Sequence, residues 1–426
     1  MSESHVLDLL LNQFAYWRQH QMELQQSNLT ISYHTIVAWV LCFIAASASS
    51  AGGLGGGSLY LLILNIFAGL SLKKATSFTA FMVTGGSLSS VLYILFLMNP
   101  SHKGESLVNF EIALLSQPCM LLGVSVGVVC NVMFPEWLIT VLFTVFLACS
   151  TYKTCKAGFK CWKAESEVVR DGMDRREGGE KGVHEPLLGG EGGSRLRVPW
   201  KDLVVLVMVW VCFFMLHVFI GDKHGKGLVR IKPCGVAYWL ITLSQIPFAI
   251  AFTAYIIYVK KNPQSQNDQQ ANDKTIVGRN KKKPVPVFVF PLAALLTGVM
   301  SGLFGIGGGL LLNPALLQIG VPPQTAAATS TFMVLFSSSM SMVQYIILGM
   351  KGIDEALIYA MICFVASVVG LAIVERAIQM SGRVSLIIFI VSAVMAFSTV
   401  TQTCFGAVDV WRQYASGDYM GFKLPC

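Results

Sequence analysis

The chain has 426 residues, of which 54% are hydrophobic and only 13% charged, with a formal net charge of +8. Soluble domains average about a quarter charged residues, so this composition excludes a water-soluble surface and points to one that faces lipid. The basic excess lies between apolar runs rather than on one face, which fits cytosolic loops under the positive-inside rule, and no nucleic-acid partner is expected.

Residues 1–33 form an N-terminal polar segment without a secretory signal pattern. Leu7, Leu10, Leu11, Phe14 and Trp17 follow helical spacing there, so an interfacial amphipathic helix is predicted. A bilayer core of about 30 Å needs roughly 20 apolar residues per helical span. Apolar segments fall at 34–52, 57–71, 75–98, 110–133 and 136–152, and residues 34–152 read as a first transmembrane unit. Residues 153–200 are rich in Gly, Lys, Arg and Glu and read as a mobile polar loop on the cytosolic side. Two linking helices follow at 201–221 and 236–259, then a basic polar loop at 260–286. Further apolar segments at 287–304, 309–320, 324–349, 354–374 and 384–405 make a second transmembrane unit, and residues 406–426 a tail. The fold class is therefore all-α, a polytopic helical membrane protein.

The two units are related in sequence. At an offset of 252 positions, Gly53–Tyr93 aligns without gaps on Gly305–Tyr345, and 12 of the 41 pairs are identical. Apolar composition raises chance matches among Leu and Val. It does not readily repeat a triple glycine (Gly55–Gly57, Gly307–Gly309) and a Ser-x-Ser (Ser87/Ser89, Ser339/Ser341) at one offset. The expectation is two homologous repeats around a central pair of helices. If each repeat crosses five times, the repeats are inverted and both termini lie outside; if the short segments 57–71 and 309–320 only re-enter, four cross and the repeats are parallel. With five crossings, the side holding both polar loops carries 21 of the 31 Lys and Arg. The inverted arrangement is preferred, and the sequon Asn28-Leu29-Thr30 would then face outside.

Glycine costs about 1 kcal/mol in a helix interior relative to alanine, so three in succession should open a helix. An opened helix at membrane depth must be satisfied by protein or line a wet cavity. The helix that restarts presents free N–H groups and a positive dipole end, a natural anion site. Gly55, Gly56, Gly57, Gly307, Gly308 and Gly309 are accordingly candidate binding or gating residues; close helix packing is the alternative, and Gly123/Gly127 and Gly298/Gly302 fit it too. Hydroxyls form a second constellation. Thr79, Ser87 and Ser90 lie near one helix face, as do Thr331, Ser338 and Ser341, and Asn313 follows the second glycine run. They can coordinate an oxyanion without fixed charge or can bond back to their own helices. Charged residues sit at span ends, and His217 is the one deep titratable candidate, so no proton-pumping chain is read. There is no CxxC among eleven cysteines, no metal motif, no nucleotide loop and no nucleophile–base pair. No enzyme, cofactor or metal is expected.

The twinned glycine breaks, the run Gly320-Val321-Pro322-Pro323-Gln324 and Phe336-Ser337-Ser338-Ser339-Met340-Ser341 resemble the sulfite exporter TauE/SafE family in its longer plant branch. Ala237-Tyr238-Trp239, Gln245-Ile246-Pro247, the stretch Gly382–Phe389 and Tyr419-Met420-Gly421-Phe422 look like that branch too, so the likeness covers residues 34–426. Phe81 stands where the plant pattern has Cys. The resemblance implies a permease exporting sulfite or a related organosulfonate, with a lipid bilayer and a small anion as partners. A carrier of another small solute, or a non-transporting scaffold recruiting partners through its polar loops, are the competing readings. Substrate identity, resident membrane and oligomeric state stay open.

Overall fold

The computed structural model describes residues 33–50, 55–96, 107–177, 200–220, 236–261, 289–319, 321–381, 385–415 and 421. The predicted N-terminal amphipathic helix, the sequon and nearly all of the basic loop lie outside these residues. Twelve helices are present among them: α1 (Tyr33–Ser50), α2 (Gly57–Ile66), α3 (Leu72–Phe96), α4 (Phe110–Met133), α5 (Glu136–Glu177), α6 (Trp200–Ile220), α7 (Val236–Lys261), α8 (Val289–Phe304), α9 (Gly309–Ile319), α10 (Pro323–Ile347), α11 (Ile353–Ser381) and α12 (Ser385–Ala415). The chain is all-α among the described residues. Six helices (α3, α4, α5, α6, α10 and α11) are long and apolar enough to cross a membrane.

Local chemistry sets several boundaries. Asn109 caps α4, its Oδ1 accepting from the N–H groups of Glu111 and Ile112, while the Glu111 carboxylate sits at the positive helix end. Pro322 and Pro323 open α10, where a missing N–H costs nothing. Asn131 Nδ2 and Tyr345 Oη donate to the carbonyls of Leu303 and Gly302 at 2.7 and 2.8 Å, satisfying the C-terminal end of α8. Along α6, Val204, Val207, Val211 and Met215 are exposed at helical spacing. Such a stripe cannot face water without cost, and it suits acyl chains.

Two backbone-to-backbone seams hold the bundle. Gly123 and Gly127 of α4 interlock with Gly298 and Gly302 of α8, so that a Cβ on any of the four would strike main-chain atoms of the facing helix. In the other seam Gly370 of α11 rests on the backbone of Ser47 in α1, and Ser47 Oγ donates to the Ala366 carbonyl at 3.0 Å. Small residues at these positions allow the close approach that drives helix association in lipid.

The contacts also fix direction. Trp39 meets Tyr359 and Ser47 meets Ala366, so α1 and α11 run parallel. Phe78 meets Tyr359 and Tyr93 Oη donates to Glu375 at 2.6 Å, so α3 joins that set. Gly123 lies against Gly298 and Gly127 against Gly302, so α4 and α8 are parallel; Asn109 with Thr329 and Ser125 with Gln344 add α10. Helices α3 and α10 cross in opposite directions: Val91 and Ile94 share one core cluster with Ala326 and Ala328, and Ala80 shares another with Met340 and Tyr345.

Two boundaries differ from the sequence reading. The polar stretch expected to be mobile from residue 153 stays helical to Glu177 as a continuation of α5. Its Lys, Ala and Glu content favours a helix. Phe159 and Trp162, one turn apart, both meet Phe389 of α12 edge-on while staying exposed, so the contact ties the stretch to α12 without burying an apolar face. Helix α12 likewise runs on to Ala415, past the predicted tail boundary at 406. Gly406 allows this by lying where a Cβ would be 2.6 Å from Thr140 Cγ2.

Candidate functional site

Both glycine runs interrupt a helix, and the backbone shows why glycine is needed. Gly55 and Gly56 have φ of 71° and 72°; Gly305, Gly307 and Gly308 have φ of 67°, 74° and 77°. This left-handed region strains any residue with a Cβ. After each interruption a short helix restarts, α2 at Gly57 and α9 at Gly309. The first bonds match at the two starts: Leu59 and Tyr60 N–H donate to the Gly56 carbonyl, and Leu311 and Leu312 N–H to that of Gly308. The preceding N–H groups, of Gly57 and Ser58 and of Gly309 and Leu310, fall outside the intrahelical ladder.

The two interruptions touch. A Cβ on Gly57 would lie 2.5 Å from Ile306 Cα, and its three nearest atoms all belong to Ile306. Gly55 and Gly307 face the same two side chains: Cβ positions there lie 2.9 and 2.6 Å from Val83 Cγ1, and 3.2 and 2.7 Å from Val334 Cγ1. The crossing of α3 and α10 is thus the platform on which both breaks rest. Ser337 Oγ ties that platform to the second break, donating to the Gly307 carbonyl at 2.9 Å. The atoms nearest to these glycines come from Ser49, Tyr60, Thr76, Val83, Met120, Thr297, Ile306, Val334 and Ser338, and none is charged. Two helix starts lie beside this junction, and each carries a positive end equivalent to about half an elementary charge at most.

All six predicted glycines come together here. Ser338 joins them, its Cβ 3.7 Å from a Cβ position on Gly307. Thr79, Ser87, Thr331 and Ser341 are buried on α3 and α10, but their hydroxyl protons are committed to their own helices. Thr79 donates to Ala75 O, Ser87 to Thr84 O, Thr331 to Ala327 O and Ser341 to Ser337 O at 2.8 to 3.2 Å; Ser338 reaches Leu335 O at 3.4 Å. In this conformation they turn oxygen lone pairs, not protons, to a neighbour, so an anion would have to compete for each hydroxyl proton. Asn313 is buried within α9 beside Pro314.

Three polar side chains near the breaks escaped the sequence reading. Ser337 stood beside the chosen Ser338 without a criterion to separate them. Tyr60 curls back over its own helix start, where a Cβ on Gly56 would be 2.5 Å from its hydroxyl and from Ser49 Oγ. Its aromatic ring in an otherwise aliphatic α2 was the available signal. Ser150 Oγ donates to Leu310 O at 2.8 Å, holding the first turn of α9 against α5. His217 is not at the breaks. Its Nε2 lies 2.9 Å from Ser125 Oγ and 3.1 Å from Gln344 Nε2, a buried polar junction where α6 docks on α4 and α10.

The sequence model described as "Sulfite exporter TauE/SafE" matches residues 8–154 and 194–401 of the chain. The chain is 50% identical over 418 residues to "Sulfite exporter TauE/SafE family protein 1" of Arabidopsis thaliana, covering 96% of this chain and 92% of that protein. It is 47% identical over 428 residues to "Sulfite exporter TauE/SafE family protein 5" of the same plant, covering 98% and 93%. A shorter likeness, 44% over 57 residues (13% of this chain and 21% of the other), links it to the "Probable membrane transporter protein YunE" of Bacillus subtilis. No solved structure is a significant match.

Proposed function

The chain belongs to the sulfite exporter TauE/SafE family, and from that premise we propose that this multi-pass membrane transporter carries a small sulfur-containing anion, sulfite or an organosulfonate, out of the cytosol. The observation that carries the reading is the meeting of the two glycine interruptions, Gly57 against Ile306, with two helix starts beside them and no charged atom among the nearest neighbours. A helix start attracts an anion through oriented N–H groups. Without a lysine or arginine to trap it, the anion can leave again. The hydroxyls of Thr79, Ser87, Thr331, Ser338 and Ser341, together with Asn313, line the helices that flank the passage in this reading.

The reading includes two homologous repeats in inverted orientation. It is supported by the opposite courses of α1, α3 and α11 on one hand and α4, α8 and α10 on the other. Corresponding helices α3 and α10 cross antiparallel at Val83 and Val334. A parallel duplication would give them the same course.

Export of a monovalent anion needs no coupling ion. At 100 mV, negative inside, outward movement of one negative charge gains about 2.3 kcal/mol. The test is flux of labelled sulfite, sulfate, thiosulfate and taurine across reconstituted vesicles, with and without the potential, for the wild type and Gly55→Leu and Gly307→Leu. Efflux of at least one of the four, slowed when the potential is abolished and lost in both variants, is the expected outcome. Absence of flux of all four in the wild type would sink the reading.

A further inference from the structure

The two helix starts are not equivalent, and this decides where an anion can rest. At the start of α2 the protein supplies its own occupant. The Tyr60 hydroxyl and ring carbon Cζ, with Ser49 Oγ, come within 2.5 Å of the Cβ position on Gly56. That hydroxyl hydrogen-bonds with Ser49 and Cys363 and is fully buried. At the 252-residue offset Tyr60 corresponds to Leu312, which has no polar group to bring back to the start of α9.

Around α9 the opposite holds. The nearest atoms to a Cβ position on Gly308 are Thr297 Cγ2 at 2.8 Å and Met120 Cε at 2.9 Å. One turn from Thr297, on the same face of α8, stands Ser301; one turn before Met120, on the same face of α4, stands Gln117. Ser301 and Gln117 are 0% exposed, and neither the Ser301 hydroxyl nor either amide atom of Gln117 has a hydrogen-bond partner. Ser116 Oγ, 1% exposed, is in the same condition. Ser301 holds, at the same offset, the place of Ser49, whose oxygen points at Gly56. Unpartnered buried polar groups cost about 1–3 kcal/mol each. Ser301 and Gln117 thus each stand one helical turn from a side chain that touches the start of α9, unpartnered and buried.

We propose that the transported anion rests at the start of α9, taken by the N–H groups of Gly309 and Leu310, the Ser301 hydroxyl and the Gln117 amide, while Tyr60 closes the matching position at α2. The inference rests on the anion-permease reading above and deepens it: the two repeats contribute one resting site, not two. Its donor set is neutral and directional, so it suits a compact oxyanion with several acceptor oxygens rather than a bulky apolar solute.

The experiment measures KM and Vmax for labelled sulfite, sulfate, thiosulfate and taurine in vesicles holding the wild type, Gln117→Leu, Ser301→Ala, Leu312→Tyr and Tyr60→Leu. Thermal stability of each purified protein is read alongside. Loss of one donor to an anion is expected to raise KM about tenfold for Gln117→Leu and Ser301→Ala, and Leu312→Tyr should abolish flux by planting the first repeat's closure in the second. Gln117→Leu should also raise the melting temperature, since it removes an unpartnered amide; a purely structural Gln117 would give no KM change with that gain. Tyr60→Leu should leave KM within twofold. The inference is overturned if Gln117→Leu and Ser301→Ala keep the wild-type KM, or if Tyr60→Leu weakens the anion as much as they do. If Gly307→Leu stops flux while these variants behave as wild type, only the resting site is wrong. If the wild type moves none of the four solutes, both readings fall.

Discussion

Replacing Gly57 by alanine adds one methyl group and should still stop transport. Gly57 is the first residue of α2 and has an ordinary backbone φ, so alanine is conformationally acceptable there and is the better helix former by up to about 1 kcal/mol. The cost lies across the junction. The new Cβ would be 2.5 Å from Ile306 Cα, 2.7 Å from its Cβ and 3.0 Å from its carbonyl carbon. Ordinary contacts of this kind lie near 3.5–4.0 Å, so the two interruptions must separate by about 1 Å. Main-chain atoms cannot swing aside as a side-chain tip can. Overpacking of this kind costs roughly 1–3 kcal/mol. The displaced backbone is the one that carries the free amides, so flux should fall by more than tenfold. Gly86→Ala is the matched control. It is also a helical glycine of ordinary φ, but its nearest neighbour is Ser367 Oγ at 3.0 Å, a movable hydroxyl. It should keep flux and gain stability. Vesicle efflux of labelled anion and a melting curve for each variant are the assays. Wild-type flux in Gly57→Ala would refute the claim that contact between the breaks matters.

Other outcomes follow from single contacts. Ser337→Ala removes the donor to the Gly307 carbonyl and leaves a buried acceptor unpaired, costing about 1–3 kcal/mol and slowing flux, read by melting temperature and vesicle efflux. Gly298→Leu drives a side chain into the Met120 backbone within the α4–α8 seam, so the purified protein should lose its monodisperse peak in gel filtration. The proposed inverted arrangement, with five crossings per repeat, would put residues 1–33 outside, and an enzyme that removes N-linked glycans should then shift the mobility of the wild type but not of Asn28→Gln; an accessible cytosolic tag at the N-terminus would instead support four crossings.

What the sequence disclosed was mostly what glycine and hydrophobicity control. A triple glycine has few uses inside an apolar run, and the 252-residue offset paired Gly55–Gly57 with Gly307–Gly309 before any geometry was known. Gly123/Gly127 and Gly298/Gly302 were each legible as packing motifs for the same reason, but that they pack on one another was not. Side-chain direction was not. Thr79, Ser87, Thr331, Ser338 and Ser341 look like an anion ladder by composition, yet each proton returns to a carbonyl three or four residues earlier, a choice set by local geometry that spacing alone does not reveal. Tyr60 was hidden because a tyrosine among leucines reads as core until its hydroxyl is traced. The helical run from 153 to 177 was missed because Gly158 and Gly172 and dense charge read as a loop. Only the partner Phe389, more than 200 positions away in the chain, shows what Phe159 and Trp162 are for.

The seams also say which parts can move. Alternating access needs one group of helices to shift against another. The α4–α8 seam joins a helix of the first unit to one of the second through facing main chains, and Gly370 on Ser47 does the same for α11 and α1. Such contacts have no side chain to re-rotamer and break outright if they slide, so each pair travels as a body. The α3–α10 crossing is different: its centre is Val83, Val334 and hydroxyl-bearing side chains, which can repack. Motion is therefore expected to divide the molecule across the two units rather than between them, with the crossing as hinge. Spin labels report this directly, because exposed positions exist on all four helices: Val126 on α4, Leu296 on α8, Leu88 on α3 and Ile346 on α10. Addition of transported anion should leave the Val126–Leu296 distance distribution unchanged and shift or broaden that of Leu88–Ile346. Equal shifts in both pairs would mean that the glycine seam slides, and a hinge at the valines would then have no physical basis.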